Sequence, residues 1–222
     1  MSVQVKICGL STPDTMEAAL SNGAEFVGLN FYPPSPRYVT PAQAVPLAAM
    51  ARGRTRIVAL VVDADDALLK DIAAVVKPDF FQLHGNETPE RVAAIKAMTG
   101  RPAIKVIKVG GPEDVAKAIA YVDVADIFLF DAKAPATLKN ALPGGNGIPF
   151  DWSLLDGKHG FMLSGGLSLD NVAEAIRITG AAIVDVSSGV ESAPGKKDLS
   201  LIRKFIEAAK AARQNGLESE FS

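Results

Sequence analysis

Residues 160–189 read GFMLSGGLSLDNVAEAIRITGAAIVDVSSG, and one structural unit is complete within them. Gly160–Gly166 is a short apolar run that ends in a serine and a glycine pair. Ser168–Gly180 has helical spacing, acids near its start and a glycine at its end. Ala181–Gly189 is again β-branched, and again ends in small polar residues and a glycine. Strand, turn, helix, strand, turn is the grammar of a βαβ unit. Both apolar runs are nearly continuous, as strands buried on both faces of a parallel sheet are.

The same rhythm fills the rest of the chain. Further strand-like runs are QVKICG from Gln4, EFVGLNFY from Glu25, TRIVALVVD from Thr55, FFQLHG from Phe80, AIKVIKVG from Ala103 and DIFLFDAK from Asp126. Between them lie alanine-rich segments that begin with a Ser or Thr cap, or a Gly, and a Pro in the first turn. Examples are STPDTMEAALSNG from Ser11, TPAQAVPLAAMARG from Thr40, TPERVAAIKAMTG from Thr88 and GPEDVAKAIAYV from Gly111. Pro46, inside one of these segments, is expected to kink or delay its helix. DLSLIRKFIEAAKAAR from Asp198 is the cleanest amphipathic helix, and QNGLESEFS after it reads as a frayed tail.

Eight strand-like runs, roughly 20 to 35 residues apart and each followed by a helix-like segment, predict a closed (βα)8 TIM barrel. An open doubly wound sheet is the competitor, but its glycine-rich first turn is missing: the first turn here is CGLST. No linker divides the chain. The expectation is one α/β barrel domain over residues 1–213 and a disordered tail over 214–222.

Composition narrows the function. The 222 residues carry a net charge of -2, which makes no electrostatic case for nucleic acid or a membrane as partner. The N-terminus lacks the basic flank and long apolar stretch of a signal peptide, and the single cysteine fits a reducing compartment. A cytoplasmic protein is expected.

In such a barrel the chemistry gathers where strands end at their C-terminal side. Cys8, Asn30, Gln82, His84, Asp131, Ser164, Asp185 and Ser187 stand at those ends, and Arg37 follows Asn30 in the proline-stiffened FYPPSPRYV. Each has a bland reading. A lone cysteine is often a small buried hydrophobe, a strand-end aspartate often caps a helix, His84 could bond a backbone group, and Arg37 could be a surface charge. The glycines are more specific. LSGGL and VSSGV stand after strands seven and eight, where barrels commonly hold phosphate on backbone N–H groups. A phosphorylated small molecule is the expected ligand. The chain has two histidines and shows no metal-ligand spacing, Walker loop or dinucleotide fingerprint.

Taken together and in order, VKICGL, GLNFYPPSPRYV, QLHGNE, FLFDAK, PGGNG, FDW, LSGGLSLDNV and VDVSSGVESAPGKKD resemble one family, the phosphoribosylanthranilate isomerases of tryptophan biosynthesis. The resemblance spans nearly the whole chain. It implies a barrel that acts without a cofactor, as a monomer or homodimer. The implied reaction converts N-(5-phosphoribosyl)anthranilate into 1-(2-carboxyphenylamino)-1-deoxyribulose 5-phosphate by an Amadori rearrangement. Carried over by motif, Cys8 is the general base and Asp131 the general acid. Arg37 meets the anthranilate carboxylate, His84 is among the substrate-binding residues, and Gly165, Gly166, Ser188 and Gly189 cradle the phosphate. Ile148 and Pro149 depart from the family pattern, which commonly has a polar or basic residue there. The nearest rival reading is an aldose–ketose isomerase of histidine biosynthesis, which would be expected to use two aspartates. A catalytically silent barrel that binds a phosphorylated metabolite or a partner protein is the other.

Overall fold

The apolar runs become strands because their side chains can be buried on both faces at once. In the computed structural model, which describes residues 3–134, 143–145 and 147–218, the strands are β1 (Gln4–Cys8), β2 (Phe26–Asn30), β3 (Arg56–Val61), β4 (Phe80–Leu83), β5 (Ala103–Val109), β6 (Ile127–Ala132), β7 (Met162–Leu163) and β8 (Ile183–Val186). They pair in parallel in chain order, and β8 returns to β1, so the sheet closes into the expected barrel.

Side-chain parity then divides the interior. Outward residues such as Ile7, Leu29, Phe81 and Val184 pack on the helices in one large core. Inward residues Phe26, Val58, Ile104, Val106, Leu129 and Met162 form a separate apolar plug inside the barrel. Because strand side chains alternate, the residue two places on shares the inward face. From Leu129 that step reaches Asp131, from Met162 Ser164, and from Phe26 by two steps Asn30. The plug closes the lower barrel, and polar side chains at the C-terminal ends line the mouth above it.

The surrounding helices are α1 (Pro13–Ser21), α2 (Pro41–Ala51), α3 (Asp66–Asp71, continued by a wider turn over Ile72–Val76), α4 (Pro89–Thr99), α5 (Pro112–Ala116), α6 (Val172–Thr179) and α7 (Leu199–Glu218). Thr12, Thr40 and Thr88 cap α1, α2 and α4 through their side-chain oxygens, and Thr40 and Gln43 cap one another's backbone reciprocally. Each such cap contributes about 1 kcal/mol. Pro46 does not delay α2: the helix starts at Pro41, and Pro46 lies on its exposed side.

The regular alternation weakens after β5. Only Pro112–Ala116 of the helical pattern forms an α-helix, and Lys117–Tyr121 tightens into a 3-10 turn. A short helix depends on a buried apolar face, and Ile119 and Val122 remain 76% and 57% exposed. After β6, the described residues before β7 hold a 3-10 turn at Trp152–Leu155 and no α-helix, so the expected helix there is not found among them. A small antiparallel pair, β9 (Glu191–Ala193) and β10 (Lys196–Lys197), follows β8. The boundary expected at residue 213 falls inside α7, which continues to Glu218; residues 219–222 lie outside the described ones. Among the described residues no helix is long and apolar enough to cross a membrane.

Candidate active site

Cys8 closes β1 and is 4% exposed. Two residues earlier on the same inward face, Lys6 is wholly buried and its Nζ donates to Asp185 Oδ1 at 2.8 Å. Lys6 and Asp185 are register partners on adjacent strands, so the sheet itself sets this pair. Gly28 on β2 makes room for both side chains. A Cβ at Gly28 would stand 2.8 Å from Cys8 Sγ and 3.3 Å from Lys6 Nζ. Burial pushes the thiol above its ordinary range; the Lys6 cation pulls it down, the Asp185 carboxylate pushes it up and Lys197 pulls it down. Burial acts to lower the Lys6 ammonium, but the charges of Asp185 and Cys8 outweigh it and leave it raised.

Asp131 stands across the mouth at the end of β6, 3% exposed. Its Oδ1 accepts the Ala132 N–H at 3.0 Å, and its Oδ2 lies 3.1 Å from His84 Nε2. His84 Nδ1 lies 3.1 Å from Gln82 Nε2. Both ring nitrogens of His84 are therefore engaged by protein groups, and its polar atoms serve Asp131 more directly than a ligand. Gly144 packs on the imidazole, where a Cβ would come within 2.6 Å of the ring.

Arg37 is not a surface charge: it is 5% exposed. The loop that carries it is pinned by Ser35 Oγ, which receives the Asn30 amide and the Arg37 N–H, each at 3.1 Å. Its Nε and Nη2 donate to the two oxygens of Glu191 at 2.7 and 2.8 Å. Glu191 also receives Lys197 Nζ at 2.7 Å and the Gly195 N–H at 3.1 Å. Burial acts to raise the Glu191 carboxyl, and Arg37 and Lys197 outweigh it and hold it low. Among the described residues this bidentate clamp leaves Nη1 of the fork without an acceptor, beside Gly145.

The glycine turns meet where the sequence places them. Gly165 and Gly166 have φ of +89° and +65°, a region open to glycine without strain. Among the described residues, neither N–H meets a protein acceptor. A Cβ on Gly166 would strike the Ile148–Pro149 backbone, so the divergent sixth loop is seated directly on this turn. Ser188 opens a one-turn 3-10 helix, and a Cβ on Gly189 would collide with the Leu167 carbonyl, which packs the two turns together. Cys8, Arg37, His84, Asp131, Gly165, Gly166 and Ser188 line a single cavity at the mouth; Gly189 supports it from behind.

Sequence reading passed over Lys6 and Glu191. The signal for Lys6 was present, since KIC places it two residues before the cysteine on the same strand face. Glu191 carried no local signal, because it meets Arg37 from 154 positions away.

A closed (βα)8 barrel with a thiol and a carboxyl on opposite sides of its C-terminal mouth is the architecture of an acid–base barrel enzyme. Residues 5–208 match the family described as N-(5'-phosphoribosyl)anthranilate (PRA) isomerase. The chain is 53% identical over 215 residues to the N-(5'-phosphoribosyl)anthranilate isomerase of Parvibaculum lavamentivorans, covering 96% of this chain and 100% of that one. It is 54% identical over 217 residues to the enzyme of the same name from Paramagnetospirillum magneticum, again covering 96% and 100%. Among solved structures, phosphoribosyl anthranilate isomerase from Thermotoga maritima superimposes with a TM-score of 0.83 at 35% identity, covering 94% of this chain and 99% of that one. A complex of phosphoribosyl anthranilate isomerase with reduced 1-(o-carboxyphenylamino)-1-deoxyribulose 5-phosphate gives 0.81 at 33%, with the same coverage. The chain belongs to the N-(5'-phosphoribosyl)anthranilate isomerase family.

Proposed function

We propose that this chain converts N-(5'-phosphoribosyl)anthranilate into 1-(2-carboxyphenylamino)-1-deoxyribulose 5-phosphate, the isomerisation its family is named for, as a step of tryptophan biosynthesis. The observation that carries the reading is the pairing of Cys8 and Asp131 across one cavity whose rim is the two glycine turns.

Asp131 protonates the furanose ring oxygen while the anilino nitrogen pushes electrons into C1. The C1–O bond breaks and an open-chain iminium forms. That cation acidifies the C2 hydrogen, which Cys8 takes as thiolate. The electrons left at C2 neutralise the nitrogen and give an enolamine, which gains a proton at C1 as its C2 hydroxyl becomes the ketone. Lys6 favours the thiolate by its charge. The N–H groups of Gly165 and Gly166, with Ser188 at the start of its 3-10 turn, hold the phosphate, and Gly189 keeps that turn against Leu167. Nη1 of Arg37 meets the anthranilate carboxylate. His84 contributes to substrate binding by way of Asp131, whose carboxyl it orients.

The single cysteine and the slightly negative net charge support a cytoplasmic enzyme, and the monomeric and dimeric forms named for the Thermotoga maritima protein support a monomer or homodimer here. The deciding assay supplies freshly made phosphoribosylanthranilate and follows loss of its anthranilate-type fluorescence. Steady loss that depends on the protein is the expected result. A folded protein that leaves the signal unchanged is instead a silent barrel.

A further inference from the structure

Gln82 has no task in the chemistry above, and packing does not explain it. It is wholly buried on β4, where its register partners are Leu60 on β3 and Ile104 on β5. Among the described residues its Oε1 meets no donor. A buried carbonyl oxygen without a partner costs stability that an apolar side chain of similar volume would not. The position therefore keeps an amide against the preference of the core, and the partner of that amide is His84.

A neutral imidazole carries one proton, on one nitrogen or the other. With the amide oriented as it is here, its nitrogen faces His84 Nδ1 at 3.1 Å, and that orientation makes Nδ1 the acceptor. The ring proton then sits on Nε2, which faces Asp131 Oδ2 at 3.1 Å. In this tautomer the ring donates to the carboxyl and cannot receive from it. In the opposite tautomer a bare Nε2 would stand beside the acid and compete with the sugar ring oxygen for its proton.

We propose that Gln82 is a positioning residue for the isomerisation: by donating to Nδ1 it holds His84 as the Nε2–H tautomer, so that the imidazole orients Asp131 without taking its proton. The proposal rests on the reading of Asp131 as the general acid. It extends the acting residues along β4 from His84 to Gln82, which lines the same cavity.

The test uses Gln82→Met, which removes the amide at similar volume, and Gln82→Glu, which puts an acceptor opposite Nδ1. Gln82→Met should unfold at the wild-type temperature or above, because it removes an unpaired polar atom. Its kcat should fall at least about tenfold with KM nearly unchanged, and by less than the roughly 10²–10⁴-fold expected for loss of the acid itself in Asp131→Asn. Histidine-selective ¹⁵N spectra read the tautomer directly, since His159, the other histidine, is exposed. Wild-type His84 should show a protonated Nε2 and a bare Nδ1, and Gln82→Glu should show a protonated Nδ1. A protonated Nδ1 in the wild type, or wild-type kcat in a folded Gln82→Met variant, overturns the proposal while an inactive Asp131→Asn leaves the acid assignment standing. Wild-type turnover by Asp131→Asn removes the acid assignment and the role of Gln82 with it. Should Gln82→Met fail to fold, the wild-type tautomer and the Gln82→Glu spectrum decide.

Discussion

Around Cys8 the close polar groups are charged: Lys6 and Asp185 form an ion pair with side chains 0% and 5% exposed, and Lys197 adds a second cation. Around Asp131 the hydrogen-bonding partners are an imidazole, a backbone N–H and, behind the imidazole, an amide; the cation that feels its charge, Lys108, stands half-buried on β5 as its register partner. The difference matches the roles proposed for the two sides. Burial favours the neutral thiol, so a buried thiol that must accept a proton needs a cation beside it. For the carboxyl proposed to donate, a bonded cation would favour the ionised form, and among the described residues Lys108 makes no hydrogen bond to Asp131.

The largest expected effects come from removing either end of this contrast. Cys8→Ser replaces the thiol with a hydroxyl that is barely acidic in water, and Asp131→Asn keeps the shape without the titrating proton. Each should leave fold and affinity largely intact and cut turnover by the roughly 10²–10⁴-fold typical of general acid–base catalysis. With Cys8→Ser at the wild-type rate, the base would have to be sought elsewhere.

Groups that only bind should behave differently from both sides. Arg37→Ala removes a charge-assisted contact of about 1.5–3 kcal/mol, or about 10- to 150-fold in kcat/KM. It also leaves Glu191 with Lys197 and the Gly195 N–H but without its guanidinium partner. The check is kinetics of Arg37→Ala beside Glu191→Gln: if Arg37 merely anchored Glu191, both would lose stability and neither would raise KM. Gly166→Ala introduces strain of about 1–3 kcal/mol at a φ of +65° and presses on the sixth loop. Raised KM and lowered thermal stability are expected, measured by saturation kinetics and melting. Unchanged KM in that variant would separate the glycine turn from phosphate binding.

The smallest effect should come from discharging the base side, because a change of pH can restore it. In Lys6→Met combined with Asp185→Asn, the cation that pulls the Cys8 thiol down is gone and no unpaired buried carboxylate remains. Burial, which already holds the thiol above its ordinary range, is then opposed by Lys197 alone. Removal of Asp185 works the other way, but it ranks after Lys6 among the influences on Cys8. The net direction is upward: at any given pH less thiolate is present. Alkylation of Cys8 by iodoacetamide, and the rising limb of kcat/KM against pH, should both move to higher pH. A shift to lower pH would show that Asp185, and not Lys6, sets the state of the thiol.

The barrel was legible in sequence because each of its decisions is local. Nearly continuous β-branched runs choose strand, threonine–proline starts choose helix, and repetition of the pair closes the sheet. The pattern misled where local preference lacked a surface to bury. GPEDVAKAIAYV reads as a helix throughout, yet Ile119 and Val122 find little to pack on and the α-helix stops at Ala116. The positions of Cys8, Asp131 and the glycine turns were also readable, since a strand end in a closed parallel barrel must face the mouth.

What the sequence alone determined, then, is the barrel and the level at which its chemistry lies, because side-chain parity and strand ends are properties of consecutive residues. The partners were decided only by the tertiary structure. Lys6 meets Asp185 through strand register, His84 meets Asp131 from two strands away, and Arg37 meets Glu191 across most of the chain. Charge and hydrogen bonding act over a few ångströms of space, whatever the separation along the chain. Which cation stands beside the thiol and which carboxyl meets the imidazole is therefore settled when the barrel closes.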